Sequence, residues 1–179
     1  MLLIVGLGNY GKEYEHTPHN MGFLTADIVA EEMGLEFTKN KCHALIAEGF
    51  FNGEKVMIAK PQTYMNNSGI ALRELVAKFK IPLENIIVVS DDIDLEVGVI
   101  RYKAHGSGGT HNGMRNCVLE LGTENFARIR IGVGKPQIPL VDFVLAPLSK
   151  EKMQALSEPI AQAKDKIIEL IKTKHCFQA

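Results

Sequence analysis

Two stretches of the chain read as strands buried on both faces: the continuous apolar run Leu2 to Val5 and the β-branched run Asn85 to Val89. A strand with one face in water alternates apolar and polar residues, whereas one that is apolar throughout needs cover on both sides, the situation of a parallel sheet sandwiched by helices. Each run ends in residues of another kind, Gly6 after the first and Ser90-Asp91-Asp92 after the second. The chain is therefore expected to build an α/β fold in which strand ends deliver chemistry.

The intervening segments supply the helices. Met21, Leu24, Ile28 and Val29 recur at helical spacing as far as Met33, with His19 or Asn20 as a cap and Gly34 as a stop. Ala44 to Phe51 and Lys55 to Lys60 flank Asn52-Gly53, a strong hairpin signal, so they should pair antiparallel. Past Pro61, QTYMNNSG leads into a helix carrying Ala71, Leu72, Leu75, Val76 and Phe79, stopped near Ile81-Pro82. Val97 to Tyr102 reads as a strand, followed by a glycine-rich loop from His105 to Gly109 and a helix from about His111 to Leu121. Phe126 to Val133 alternates, which puts Arg128 and Arg130 on one face and Ile129 and Ile131 on the other. Ser149 caps a final helix with Met153, Leu156, Ile160, Ile167 and Leu170 or Ile171 inward, and Pro159 is expected to divide it. The order predicts a single-domain α/β sandwich over residues 1–179, its central sheet mixed, largely parallel and twisted.

Length and composition are those of one globular domain with a sizeable core. MLLIVGLG lacks a basic leader and runs straight into glycines, and no apolar run is long enough to span a bilayer. A cytoplasmic protein without a membrane partner is expected. Cys42, Cys117 and Cys176 are odd in number and scattered without a CxxC pair, so they read as reduced packing residues, with Cys42 in a strand. Net charge is only −1, but between Arg101 and Lys135 six basic residues face two glutamates, leaving +4 there and −5 elsewhere. A local positive region on a near-neutral chain suits a polyanion that is held and then released, although a solvated face has the same composition.

In open α/β sheets ligands gather outside the carboxyl ends of the strands, and Asn9 with His19, Met65 with Asn66, and Asp91 each follow a predicted strand. Gly6-Leu-Gly8-Asn-Tyr-Gly11 has the form of a dinucleotide fingerprint, but KEYEHTPH separates it from the next helix, so no helix N-terminus meets a pyrophosphate. His19 and Asp91 make a better pair. A carboxylate accepting from one imidazole nitrogen leaves the other free to take a proton from water. No serine or cysteine stands in an elbow-like setting, which favours water as nucleophile. His19, Asp91, Asp92 and His111 are conceivable metal ligands, but no paired-histidine spacing supports a site, so neither metal nor cofactor is expected. Gly106 to Gly113 could hold a phosphate on its free amides or be a plain capped turn, and Arg101, Lys103, Arg128 and Arg130 favour the anion. Asn9, Asn66 and Asn112, ordinary turn residues singly, could together serve an amide backbone and a developing oxyanion.

Six ordered motifs carry a family resemblance: GLGNYGKEYEHTPHNMG, KPQTYMNNSG, VVSDDIDLEVG, GSGGTHNGM, NFARIRIGVGKP and FVLAPLS. Nearly end to end, the chain resembles the bacterial-type peptidyl-tRNA hydrolases. The resemblance implies metal-free hydrolysis of the ester joining a peptide, or an N-blocked aminoacyl group, to the terminal ribose of tRNA by a monomer. It implies His19 as general base and Asp91 as its orienting acid. Asn9, Asn66 and Asn112 would position substrate or water, with Tyr64 and Met65 in the same crevice, and Lys103 and Arg130 would contact tRNA phosphate, with Arg101 a neighbour of like character.

Three positions depart from the family pattern: Tyr10 where proline is usual, Pro18 where arginine is usual, and Thr110 where glycine is usual. Pro18 should hold Thr17 extended and stiffen the approach to His19, and Thr110 should narrow the turn before Asn112. Two other readings of the residues stay open. One is a non-catalytic tRNA- or ribosome-associated RNA-binding protein; the other is a small-molecule hydrolase or nucleotide enzyme on the same scaffold.

Overall fold

Strand β1 (Leu2–Gly6) lies in the middle of the sheet because both of its faces are apolar. Leu2 and Ile4 enter one core, while Leu3 and Val5 enter the other. The computed structural model describes residues 1–178. Around β1 the chain adds β2 (Lys39–Lys41), β3 (Ala44–Phe51), β4 (Glu54–Pro61), β5 (Ile86–Asp92), β6 (Ile100–Lys103) and β7 (Ala127–Gly132). Their order across the seven-stranded sheet is β2-β3-β4-β1-β5-β7-β6. The four central strands β4, β1, β5 and β7 are parallel, and the antiparallel pairings lie toward the edges. The expected mixed, largely parallel α/β sandwich is what forms.

Helices cover both faces. Met21, Ala26 and Val29 of α1 (Met21–Met33) pack on one face with Ile160, Ala163, Ile167 and Ile171 of α5 (Lys150–Lys174). The other face is covered by Ala71, Leu72 and Leu75 of α2 (Ser68–Phe79) and by Met114 and Cys117 of α3 (Asn112–Leu121). A short helix, α4 (Leu140–Val144), buries Phe143 and Val144 in the first core, and no sequence signal predicted it.

The glycines of the first loop serve close approach. A Cβ on Gly6 would lie 2.1 Å from the Gly22 carbonyl oxygen, and one on Gly22 would lie 2.4 Å from the Val89 oxygen. No side chain fits there, so α1 abuts the ends of β1 and β5. The Leu7 amide donates to Val89 and the Phe23 amide to Leu7, at 3.0 and 3.1 Å. The first turn of α1 thus spends an amide on the chain itself, in keeping with the rejection of a dinucleotide cradle.

Several expectations need correction. Pro159 does not divide the last helix, which is continuous. The proline ring is buried, and the carbonyl it leaves without an amide, that of Ala155, is on an exposed residue where water can serve it. Cys42 is not in a strand. It forms with His43 the turn of a β2–β3 hairpin, at φ 53° and 58°, left-handed values for which the residue types gave no hint. The predicted strand at Val97 shortens to β6 because Glu96–Val99 makes a turn through Gly98 at φ 99°. The hairpin at Asn52-Gly53 forms as expected, with both residues left-handed and Phe51 opposite Glu54. Across the β6–β7 pair Arg101 lies opposite Arg130 and Lys103 opposite Arg128, which places all four on one face.

Candidate active site

Asp91 is the penultimate residue of β5 and is 2% exposed. Both of its oxygens reach the Nδ1 of His19, at 3.0 and 2.9 Å, and Oδ1 also meets the Nε2 of His111 at 2.8 Å. His19 stands on a single turn of 3-10 helix, Pro18–Asn20, that leads into α1. As expected, Thr17 is extended ahead of Pro18, at φ −104° and ψ 158°. His111 is the N-cap of α3, where its Nδ1 accepts from the Met114 amide at 3.0 Å.

That cap fixes the protons. An imidazole accepting at Nδ1 carries its hydrogen on Nε2, so neutral His111 donates to Asp91. With an ionised carboxylate opposite, His19 donates from Nδ1, which leaves its Nε2 as a lone pair. Burial alone pushes the Asp91 carboxyl up, but His111 and then His19, through their hydrogen bonds and the positive charge each ring carries when protonated, outweigh it and hold the group well below the usual carboxylate range. The two rings meet edge to face with centroids 5.1 Å apart.

Asn9 approaches from the end of β1. Its Oδ1 accepts from the Met65 amide at 2.8 Å, tying the first loop to the 3-10 turn Met65–Asn67. The main chain of Asn9 is clasped on both sides by Asn20, whose Oδ1 accepts from the Asn9 amide at 2.7 Å and whose Nδ2 donates to the Asn9 carbonyl at 2.9 Å. Tyr64, at φ 58° and half-exposed, stacks on Tyr10 with centroids 4.5 Å apart.

Asn9, His19, Tyr64, Met65, Asn66, Asp91, Asn112 and Arg130 all line one cleft of about 400 Å3. Part of its wall is apolar, formed by Ile93 and by Leu140, Val141, Val144 and Leu145 of α4 and the residue after it. Of the basic residues singled out from sequence for phosphate contact, Arg101 and Lys103 stand apart from the cleft, exposed on β6. Arg128 needs correction: instead of flanking an anion site it is fully buried, its guanidinium given to the carbonyls of Ser107, Glu124 and Phe126. Alternation had put it on the right face of β7, but the glycine loop folds over it. Sequence reasoning also passed over Asn20, taken only as a helix cap, and the α4 wall. His111 reads from sequence only as a cap or metal ligand, although it sits beside Asn112 and only Thr110 separates it from the glycines.

His19, Asp91 and His111 bring ligand atoms within 4.8 Å of one another. They meet as two donors and one acceptor. A cation bound at His111 Nε2 would require the proton on Nδ1 and would break the cap on Met114, so the set fits a hydrogen-bonded triad better than a metal centre.

The profile of the family described as peptidyl-tRNA hydrolase matches residues 3–179. The chain belongs to the peptidyl-tRNA hydrolase family. Relatives carrying that name include one from Thermoanaerobacter sp. (strain X514), 47% identical over 96% of this chain and 93% of its own length. Another, from Caldanaerobacter subterraneus subsp. tengcongensis, is 48% identical with the same coverage. The crystal structure of peptidyl-tRNA hydrolase from Acinetobacter baumannii superposes with a TM-score of 0.91 at 34% identity, covering 98% of this chain and 90% of that one.

Proposed function

We propose that this chain hydrolyses the ester between a peptide, or an N-blocked aminoacyl group, and the terminal ribose of tRNA. The observation that carries the reading is the hydrogen bond of His19 Nδ1 to the buried Asp91 carboxylate at the wall of the cleft, which leaves Nε2 for water. Water gives its proton to Nε2 and attacks the ester carbonyl. The imidazolium that forms is stabilised by Asp91, and the oxyanion by asparagine donors, Asn112 among them. Collapse expels the ribose oxygen, which takes back the proton from His19. Peptide side chains lie against the α4 wall, and Arg130 and Lys103 meet tRNA phosphates. In this reading the protein acts as a monomer on tRNA in the cytoplasm.

The test is incubation with N-acetyl-aminoacyl-tRNA in EDTA, following loss of the ester against unblocked aminoacyl-tRNA. Rapid release from the blocked substrate only is expected. Binding without release would make the chain an RNA-binding protein, and turnover of nitrophenyl esters with no preference for RNA would make it a small-molecule hydrolase.

A further inference from the structure

The largest fully buried side chain of the described residues is a cation, Arg128, and its acceptors are main-chain carbonyls. Nη1 donates to Ser107 at 2.9 Å, while Nη2 donates to Glu124 and Phe126, each at 3.1 Å. The guanidinium also lies 4.3 Å from the centroid of the Phe126 ring. Burying a guanidinium is costly unless its donors are satisfied, and a planar fork can serve several carbonyls where an ammonium serves one point.

The Ser107 carbonyl has a second partner. Arg130 donates to it from Nη2 at 2.9 Å, so one oxygen takes a hydrogen bond from a buried guanidinium and from another on the cleft wall. Arg130 is held elsewhere only loosely, with Nη1 3.7 Å from Asp92. The glycine loop lies across both side chains: a Cβ on Gly106 would come 3.9 Å from Arg128, and one on Gly109 would come 3.5 Å from Arg130.

We infer that Arg128 is a positioning residue for substrate: by fixing the Ser107 carbonyl it aims Arg130, through that shared acceptor, at a phosphate of the tRNA. The inference rests on the proposed function, in which Arg130 meets phosphate. Arg128 never touches substrate, and its effect passes through Arg130. Arg128→Met keeps much of the apolar stem and removes the fork; Arg128→Lys keeps charge but cannot span three carbonyls.

The experiment measures kcat and KM for N-acetyl-aminoacyl-tRNA across a salt series, in wild type, Arg128→Met, Arg128→Lys, Arg130→Ala and Arg128→Met/Arg130→Ala. A short N-acetyl-aminoacyl ester of adenosine, which lacks the tRNA phosphates, is the second substrate. Arg128→Met should raise KM for tRNA about tenfold, the scale of one charge-assisted hydrogen bond, and flatten the salt dependence as Arg130→Ala does. The double variant should be no worse than Arg130→Ala alone, because the two act as a unit. Arg128→Lys should fall between wild type and Arg128→Met. Additive losses, or equal losses on tRNA and on the short ester, would overturn the inference. So would an Arg128→Lys variant that is folded by circular dichroism and has the wild-type KM and salt slope; this second variant decides the matter if Arg128→Met does not fold. A null result for Arg130→Ala would refute the phosphate contact itself, a distinct failure.

Discussion

Replacing Asp91 by asparagine removes one charge at almost constant volume, and the hydrogen-bond geometry leaves the amide no good orientation. Oδ1 is shared by both imidazoles, whereas Oδ2 meets only His19. With the amide oxygen at Oδ1, the new NH2 points at the His19 Nδ1 proton from about the 2.9 Å of the present contact. Relief comes if His19 moves its proton to Nε2, which abolishes the lone pair the reaction needs. Turned the other way, the NH2 faces His111 Nε2, whose proton is pinned there by the Met114 cap. The charge is lost in either case. A carboxylate and an imidazolium centred about 4 Å apart attract by about 4 kcal/mol at an effective dielectric of about 20. That corresponds to roughly a thousandfold in kcat. Single-turnover release of tRNA from N-acetyl-aminoacyl-tRNA at saturating enzyme should therefore fall by about three powers of ten, with binding of the tRNA little altered. A folded Asp91→Asn variant within about tenfold of wild type would refute the tautomer argument.

The same carboxylate sets an acid limit on stability. Its folded pKa lies below the ordinary carboxyl value, so its contribution is full above about pH 5 and is lost as pH falls through the folded value. The difference in urea midpoint between wild type and Asp91→Asn should be flat from pH 5 to 7 and shrink below pH 4. Asn20→Ala strips both partners from the buried main chain of Asn9 and should cost about 2 to 4 kcal/mol in urea unfolding, with Asn20→Asp costing at least as much because it turns a buried acceptor oxygen on the Asn9 carbonyl. Cys42→Asn with His43→Gly suits the left-handed β2–β3 turn and should raise stability by about 1 kcal/mol by the same measurement.

Much of the architecture was legible because periodicity carries it. The unbroken runs of β1 and β5 forced a covered parallel sheet, and Asn52-Gly53 fixed the β3–β4 hairpin. Strand-end logic also points to Asn9, His19, Met65, Asn66 and Asp91 at one edge, and all five line the cleft. What stayed illegible depends on contacts between distant residues. The two left-handed residues at Cys42-His43 are imposed by the pairing of β2 with β3, and the continuity of α5 through Pro159 comes from packing on both sides of it. Alternation put Arg128 and Arg130 on one face, but not even perfect periodicity could say that the glycine loop would bury one and leave the other in the cleft. Asn20 had a sufficient explanation as a cap, which hid its clasp on Asn9.

Release of tRNA from N-acetyl-aminoacyl-tRNA by His19→Ala tests most directly whether the Nε2 of His19 draws the proton from water. The variant, with its fold checked by circular dichroism and thermal unfolding, should still bind the tRNA and release essentially none in a single turnover. Release at near the wild-type rate by the folded variant would contradict the account.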